Sequence, residues 1–217
     1  FDIKMVLKVF LDYMSQPCRA IDMFMNMSNI PFKVKQIALR RGEHKQESFL
    51  KLHPLGQVPV LQDGDFVLTE SIAMVRYLSS IHTGTRTLYP TDVKQRAKID
   101  EYLEWQHLQT RFISASLFQI EDLKLRVGNL KRAVEAVDDM LSKFEMMFLK
   151  DNDFVVGNTL TVADLFALCE LIQPTRIGRD IFVGHPRARA WFERAKAASQ
   201  PYFDSAHAVF HASQKKM

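Results

Sequence analysis

The sequence is short of cysteine, of net charge and of long apolar runs. Of 217 residues only Cys18 and Cys169 are cysteine, too few for a disulfide framework and in keeping with a reducing cytoplasm. No apolar run approaches the roughly 18–20 residues of a membrane span, so no membrane partner is expected. Lys4, Lys8 and Asp12 interrupt the apolar residues of the amino end, which does not read as a signal peptide. Met5 is a candidate natural start, with Phe1–Lys4 extraneous to it. The net charge of +4 is modest and no basic run carries interleaved aromatics, which sets nucleic acid aside. The small positive excess would help draw in an anionic substrate. His53 and His107 carry no metal-ligand pattern, and no metal is expected. What is present is ordinary for a globular protein, 47% hydrophobic and 25% charged, in a chain long enough for one large domain or two small ones.

The stretch from Val58 to Tyr77 organises the rest. Val58–Leu61 and Phe66–Leu68 are short apolar runs, and Asp63-Gly64 between them suits the positive φ angles of a tight hairpin turn. Thr69-Glu70-Ser71 precedes Ile72, Ala73, Val75, Tyr77 and Leu78, which read as a helix with Ser71 as its N-cap. The free N–H groups of that first turn would face an anion placed there. Pro59 sits inside a strand, where proline is tolerated at an edge or with a cis bond. A cis bond at Val58–Pro59 would free the Val58 backbone to pair with an extended peptide. An ordinary hairpin and capped helix would use the same residues. The functional alternative is a peptide-pairing edge beside an anion site, suited to a small acidic peptide.

Elsewhere, Met5–Leu11 reads as a first strand and Pro17–Met27 as an amphipathic helix with Ile21, Phe24 and Met25 on one face. Ile30–Leu39 reads as a second strand and Arg40–Leu52 as irregular helix or loop. Strand–helix–strand followed by strand–strand–helix is the order of a thioredoxin-like α/β domain. Ile81–Val93, with Gly84 and Pro90, has the composition of a linker. Beyond it the pattern is all helical. Ile99, Leu103, Gln106, Thr110, Ile113 and Leu117 share one face of a single long helix, and Leu130, Val134, Val137, Leu141, Phe144 and Phe148 form an apolar seam. Thr161 and Asp164 form a capping box that is structural by itself. Met23, Met25, Met27 and Cys169 read as core. The expected domains are 1–80 and 94–217, with 81–93 between them.

Ser15-Gln16-Pro17-Cys18 has the spacing of a thioredoxin-type redox pair with its first cysteine replaced by serine. Dithiol exchange is thereby excluded. The hydroxyl at the helix start can donate to another molecule's thiolate, or simply cap the helix. Cys18, a turn into the helix, is misplaced for an exposed attacking thiol.

These stretches resemble the cytosolic glutathione S-transferases, and the resemblance covers nearly the whole chain. Val-Pro-Val-Leu, Asp-Gly and Leu-Thr-Glu-Ser-Ile-Ala resemble that family's glutathione-binding half, and Leu-Asp-Tyr-Met-Ser-Gln-Pro-Cys-Arg is most similar to its theta class. The resemblance implies that Ser15 activates the glutathione thiol. Tyr13, six residues before Arg19, has the spacing of the catalytic tyrosine of the alpha, mu and pi classes and stands second to Ser15. Glu70 would hold the ammonium of the γ-glutamyl end, Ser71 its carboxylate, His44 the glycine carboxylate, and Val58 the peptide backbone. Gln57 stands where many theta enzymes have lysine, so ion pairing there is weakened. Arg111 matches an arginine near the thiol, and His107 and Arg111 would face the electrophile, with the carboxyl-terminal helix as a lid.

The expectation is a cytoplasmic, homodimeric theta-like transferase with a thioredoxin-like domain and an all-α domain. It would use glutathione as co-substrate, bind no permanent cofactor, and add the thiol to small hydrophobic electrophiles or reduce organic hydroperoxides. The alternative is a non-catalytic relative acting as a binding or assembly module. The chain as given ends at Gln214-Lys-Lys-Met217, short of the added carboxyl-terminal segment of vertebrate theta enzymes, so an open pocket is expected.

Overall fold

The computed structural model describes residues 6–124 and 128–214. The expectations attached to Met5 and to the Lys215–Met217 end lie outside the described residues. The first part runs β1 (Leu7–Leu11), α1 (Gln16–Met27), β2 (Phe32–Gln36), α2 (Glu47–Leu50), β3 (Val60–Asp63), β4 (Phe66–Leu68) and α3 (Ser71–Ile81). The sheet order is β2-β1-β3-β4, with β1 and β2 parallel and the other neighbours antiparallel. The alternation in β1 explains its central place. Leu7, Val9 and Leu11 enter the main core with α1 and α3 residues, while Phe10 joins Ile37, Phe49 and Val60 in a smaller cluster on the opposite face. Short 3₁₀ turns at Leu39–Arg41 and Glu43–Lys45 occupy the stretch expected to be irregular.

Three local expectations change. Asp63 pairs with Phe66 as the last residue of β3, so Gly64 and Asp65 make the turn, and only Gly64 needs a positive φ (59°). Ser71 is the first helical residue of α3, and the N-cap is Glu70. The Val58–Pro59 bond is cis, and Val58 precedes β3 rather than belonging to it.

The second part is helical: α4 (Val93–Trp105), a π-helical segment (His107–Arg111), α5 (Phe112–Glu121), α6 (Leu130–Phe148), α7 (Val162–Leu171), α8 (Pro186–Ala198) and α9 (Tyr202–Ala212). The expected single long helix is therefore interrupted. The Arg111 amide donates to the Gln106 carbonyl at 2.9 Å, a five-residue step in place of the usual four. Ile99, Leu103, Gln106, Thr110 and Leu117 are nonetheless all buried. In α6 the seam holds from Val137 onward, while Leu130 is 39% exposed. No helix among the described residues is long and apolar enough to cross a membrane.

Arg19 joins the two parts. It is fully buried in α1, and donates to the Tyr13 carbonyl (2.8 Å), the Cys169 carbonyl (3.1 Å) and Gln173 Oε1 (2.6 Å) while lying over the Phe210 ring. Its donors thus satisfy acceptors on α1's approach, on α7 and beyond it, which offsets the cost of burying its charge.

Candidate active site

Asp12 builds the turn that presents Ser15. Its carboxylate accepts from the Met14 amide (2.8 Å) and from the Leu39 amide (2.9 Å), and its carbonyl accepts from the Ser15 amide (2.9 Å). The turn between β1 and α1 is thereby tied to the loop after β2. Ser15 is the N-cap of α1 by backbone geometry, yet its hydroxyl makes no capping bond. The hydroxyl sits half-buried at a helix start, uncommitted to the cap and in hydrogen-bond reach of the Cys18 thiol.

A cavity of about 440 Å³ opens at this point. Ser15, His44, Gln57, Val58, Glu70, Ser71 and Arg111 all line it, contributed by the α1 start, the loop after β2, the approach to β3, the α3 start and the π segment. His107 is not among its lining residues. A close approach of two loops shapes one wall: a Cβ at Gly56 (φ 61°) would come within 2.5 Å of the His44 carbonyl oxygen. Only glycine lets the His44 turn and the Gln57-Val58 segment meet this closely. The buried His44 Nδ1 has no partner among the described residues.

Glu70 holds φ 67° and ψ 110°, a backbone conformation that costs a non-glycine residue on the order of 1–3 kcal/mol. The distortion turns the chain out of β4 so that α3 begins at the cavity. Ser71, 5% exposed, then places its hydroxyl and the unpaired amides of the first turn at the same wall.

A second cavity of about 420 Å³ adjoins the first, and the two share Ser15 and Arg111. Met14, Ala115, Phe118 and Leu123 give it an apolar side, and Gln119 and Gln173 a polar one. Of these, Ala115, Phe118 and Gln119 lie on α5 and were not singled out from the sequence. The π segment explains the omission: its extra residue turns the helix face by a fraction that regular 3.6-residue spacing does not anticipate. His107 does not line this cavity either, and α9, which packs on α1, supplies no lining residue to either one.

Two other candidate groups line neither cavity. The Tyr13 hydroxyl donates to Asp22 Oδ1 (3.1 Å), and burial, then the charge of Asp22, push its ionisation far above the ordinary range. It lines neither cavity. Cys18 is fully buried and burial pushes its thiol up to about 12, with the Ser15 hydroxyl acting in the opposite sense. Such a thiol is inert as a nucleophile near neutrality.

The described geometry thus joins a polar cavity to a more apolar one across the Ser15 hydroxyl. Comparison with known proteins gives this arrangement its family. The model for the glutathione S-transferase N-terminal domain matches residues 5–80, and that for the C-terminal domain matches residues 128–198. Glutathione S-transferase theta-1 of Mus musculus is 39% identical over 213 residues, covering 94% of this chain and 89% of the relative. The crystal structure of human glutathione transferase theta-2, in complex with glutathione and an unknown ligand, superposes with a TM-score of 0.89 at 36% identity, covering 95% of this chain and 88% of that one. A human theta-class glutathione transferase, in complex with the glutathione conjugate of 1-menaphthyl sulfate, gives 0.90 at 36% identity, covering 96% and 88%. Two domain models in the right order and close agreement in both sequence and backbone leave one conclusion: the chain belongs to the glutathione S-transferase family, is theta-like within it, and is a glutathione S-transferase enzyme.

Proposed function

We propose that this enzyme holds glutathione in the 440 Å³ cavity, stabilises its thiolate through the Ser15 hydroxyl, and transfers the sulfur to small electrophiles entering from the adjoining cavity. The observation that carries the reading is the meeting of the two cavities at Ser15 and Arg111. A sulfur placed there touches a hydroxyl donor, a helix start and a cation on one side and the electrophile on the other. Glu70 pairs with the ammonium of the γ-glutamyl end, Ser71 and the α3 amides with its carboxylate, Val58 with the peptide backbone, and His44 and Gln57 with the glycine end. Residues 1–80 supply this half and residues 94–217 the electrophile half. The human theta-class relative bound to a glutathione conjugate supports conjugation as the reaction.

The energies suffice. Bringing a thiol from a pKa of about 8.5 to about 6.5 takes roughly 2.7 kcal/mol of preference for the anion. A hydrogen bond to a charged group contributes about 1.5–3 kcal/mol and a helix start about 0.3–1 kcal/mol. The thiolate then attacks the carbon of an alkyl halide; the C–S bond forms as the carbon–halogen bond breaks and halide leaves. With a hydroperoxide the thiolate takes the terminal oxygen, the O–O bond breaks to release an alcohol, and a second glutathione converts the sulfenic acid to a disulfide and water. The same family membership is the basis for proposing a homodimer in the cytoplasm.

The test is the ultraviolet absorbance of the bound thiolate against pH, with steady-state kinetics beside it. Ser15→Ala should raise the thiol midpoint by about 1–2 units and lower kcat/KM about 10–100-fold while glutathione still binds. Tyr13→Phe should change both little. Loss of activity in Tyr13→Phe with Ser15→Ala intact would overturn the assignment.

A further inference from the structure

The α7 helix, packed on the π segment, carries a buried carboxylate that the reaction described above does not use. Glu170, on α7, is completely buried, and neither carboxylate oxygen has a hydrogen-bond partner among the described residues. A buried carboxylate is ordinarily met by donors. Here the neighbouring groups are committed elsewhere or are themselves unmatched. The Arg19 guanidinium gives its terminal N–H groups to two carbonyls and to Gln173, while its buried Nε has no partner among the described residues. Gln106, at the root of the π segment, is also completely buried with both side-chain amide atoms unpartnered, and its carbonyl is the one that accepts from Arg111. The α7 helix packs directly on this segment.

We propose that Glu170 is the buried counter-charge to Arg111, governing how much of the arginine's positive field reaches the glutathione sulfur. The inference rests on the proposed role of Arg111 beside the thiol. It concerns a residue outside both cavities.

The groups around Glu170 support this pairing. From the π segment Arg111 acts on it, and from α1 Arg19 acts more weakly. The α4 helix presents Tyr102, whose hydroxyl bonds to that of Thr110. Along α7 lie Asp164, held by its own donors, and the buried Cys169, and Asp22 of α1 acts on that cysteine. On the remaining elements packed against α7, Arg176 pairs with Asp122, Arg179 with Glu121, Arg189 with Asp180 and Arg194 with Asp153. Two arginines therefore oppose the effect of burial at Glu170, and one of them lines the site. Burial is the main cause that raises the Glu170 carboxyl to about 7, so it ionises over the pH range in which an activated thiol does.

The consequence has a definite sign. As pH rises Glu170 becomes negative, offsets Arg111 and makes the sulfur harder to ionise. Replacing it with a neutral isostere removes the opposition. A unit charge acting over roughly 10 Å at an effective dielectric of about 20 moves a pKa by about one unit.

The experiment compares thiolate absorbance of bound glutathione and kcat/KM against pH in the parent, Glu170→Gln and Arg111→Gln. Glu170→Gln should lower the thiol midpoint by about half to one unit and narrow its titration, and Arg111→Gln should raise it. An unmoved or raised midpoint in a folded Glu170→Gln variant would overturn the proposal, since a purely structural residue leaves the midpoint where it was. Should that variant not fold, carbon-13 NMR of carboxyl-labelled glutamates in the parent decides. One glutamate should titrate near neutrality and shift upward when glutathione replaces S-methylglutathione, whose sulfur cannot ionise. All glutamates titrating in the ordinary range, or none responding to the change of ligand, would overturn it. If the parent itself forms no thiolate, the proposed function fails instead, and the glutamate titrating with S-methylglutathione bound reads Glu170 independently.

Discussion

Asp164 and Glu170 sit on the same helix, are both fully buried, and live in opposite circumstances. Asp164 accepts from the Val155 amide, the Thr161 amide and the Trp191 indole, each at 2.8 Å, and from the Thr161 hydroxyl at 3.1 Å. Glu170 accepts from nothing among the described residues. Burial penalises both anions, but at Asp164 fixed dipoles replace the lost water, and at Glu170 only the more distant charges of Arg111 and Arg19 do. The difference teaches where this fold places its donors. It surrounds one anion of its own and withholds donors from a second, and in the proposed function the Ser15 hydroxyl and the α3 amides serve an anion that arrives with a ligand.

The most damaging way to break the comparison is to remove the well-served anion. Asp164→Ala strands two backbone amides and the Trp191 indole in the core and deletes the capping box, and should lower unfolding stability by about 3–5 kcal/mol in denaturant titrations. A loss below 1 kcal/mol would mean those donors find other partners.

The opposite change at Glu170 should sharpen it. With an ordinary carboxyl at 4.5 and a folded value of about 7, the native state holds a proton that the unfolded chain has lost. Stability contributed by the protonated form is complete below pH 4.5 and is lost progressively up to about pH 7, by about 3 kcal/mol in all. Glu170→Gln should escape that loss, so the stability difference between variant and parent should grow from pH 5 to 7.5 and then level. His207, whose ring burial pushes down to about 3, changes stability in the reverse direction below pH 6.5, but it does so equally in both proteins and cancels from the difference. A difference that does not vary with pH would show Glu170 to be ionised throughout.

The groups proposed to hold the ligand give smaller effects. Ser71→Ala and Glu70→Ala should each weaken glutathione binding by about 1–3 kcal/mol in calorimetry. Glu70→Gly separates the backbone contribution from the charge, because glycine accepts the positive φ at that position at no cost. It should lose affinity while gaining up to about 1–3 kcal/mol of stability, where Glu70→Ala gains none. Equal stability in the two variants would remove the claim of strain at Glu70.

Determined by the sequence itself were the features whose causes lie within a few residues of one another. Gly64 in the hairpin, Pro17 in the first turn of α1 and the Thr161–Asp164 box needed no distant partner to be read. Resemblance extended that local reading to Ser15, His44, Gln57, Val58, Glu70, Ser71 and Arg111, which the fold brings around one cavity. Tertiary structure alone decided the rest. Ser71 reads as an N-cap by residue type, and the positive φ that makes Glu70 the cap is imposed by the turn from β4 to the cavity wall. Asp12 positions Ser15 only because Leu39 is carried to it by the parallel pairing of β1 with β2. His107 and the α5 lining residues fall where they do because the helix takes a five-residue step at Gln106, which no apolar period records. Arg19 and Glu170 look like solvated charges in a chain, and burial makes each of them a fixed element of the interior. Near neighbours act through steric preference and local hydrogen bonds, which a sequence displays. The field inside a protein is set by whichever groups the fold packs together, however far apart they lie along the chain.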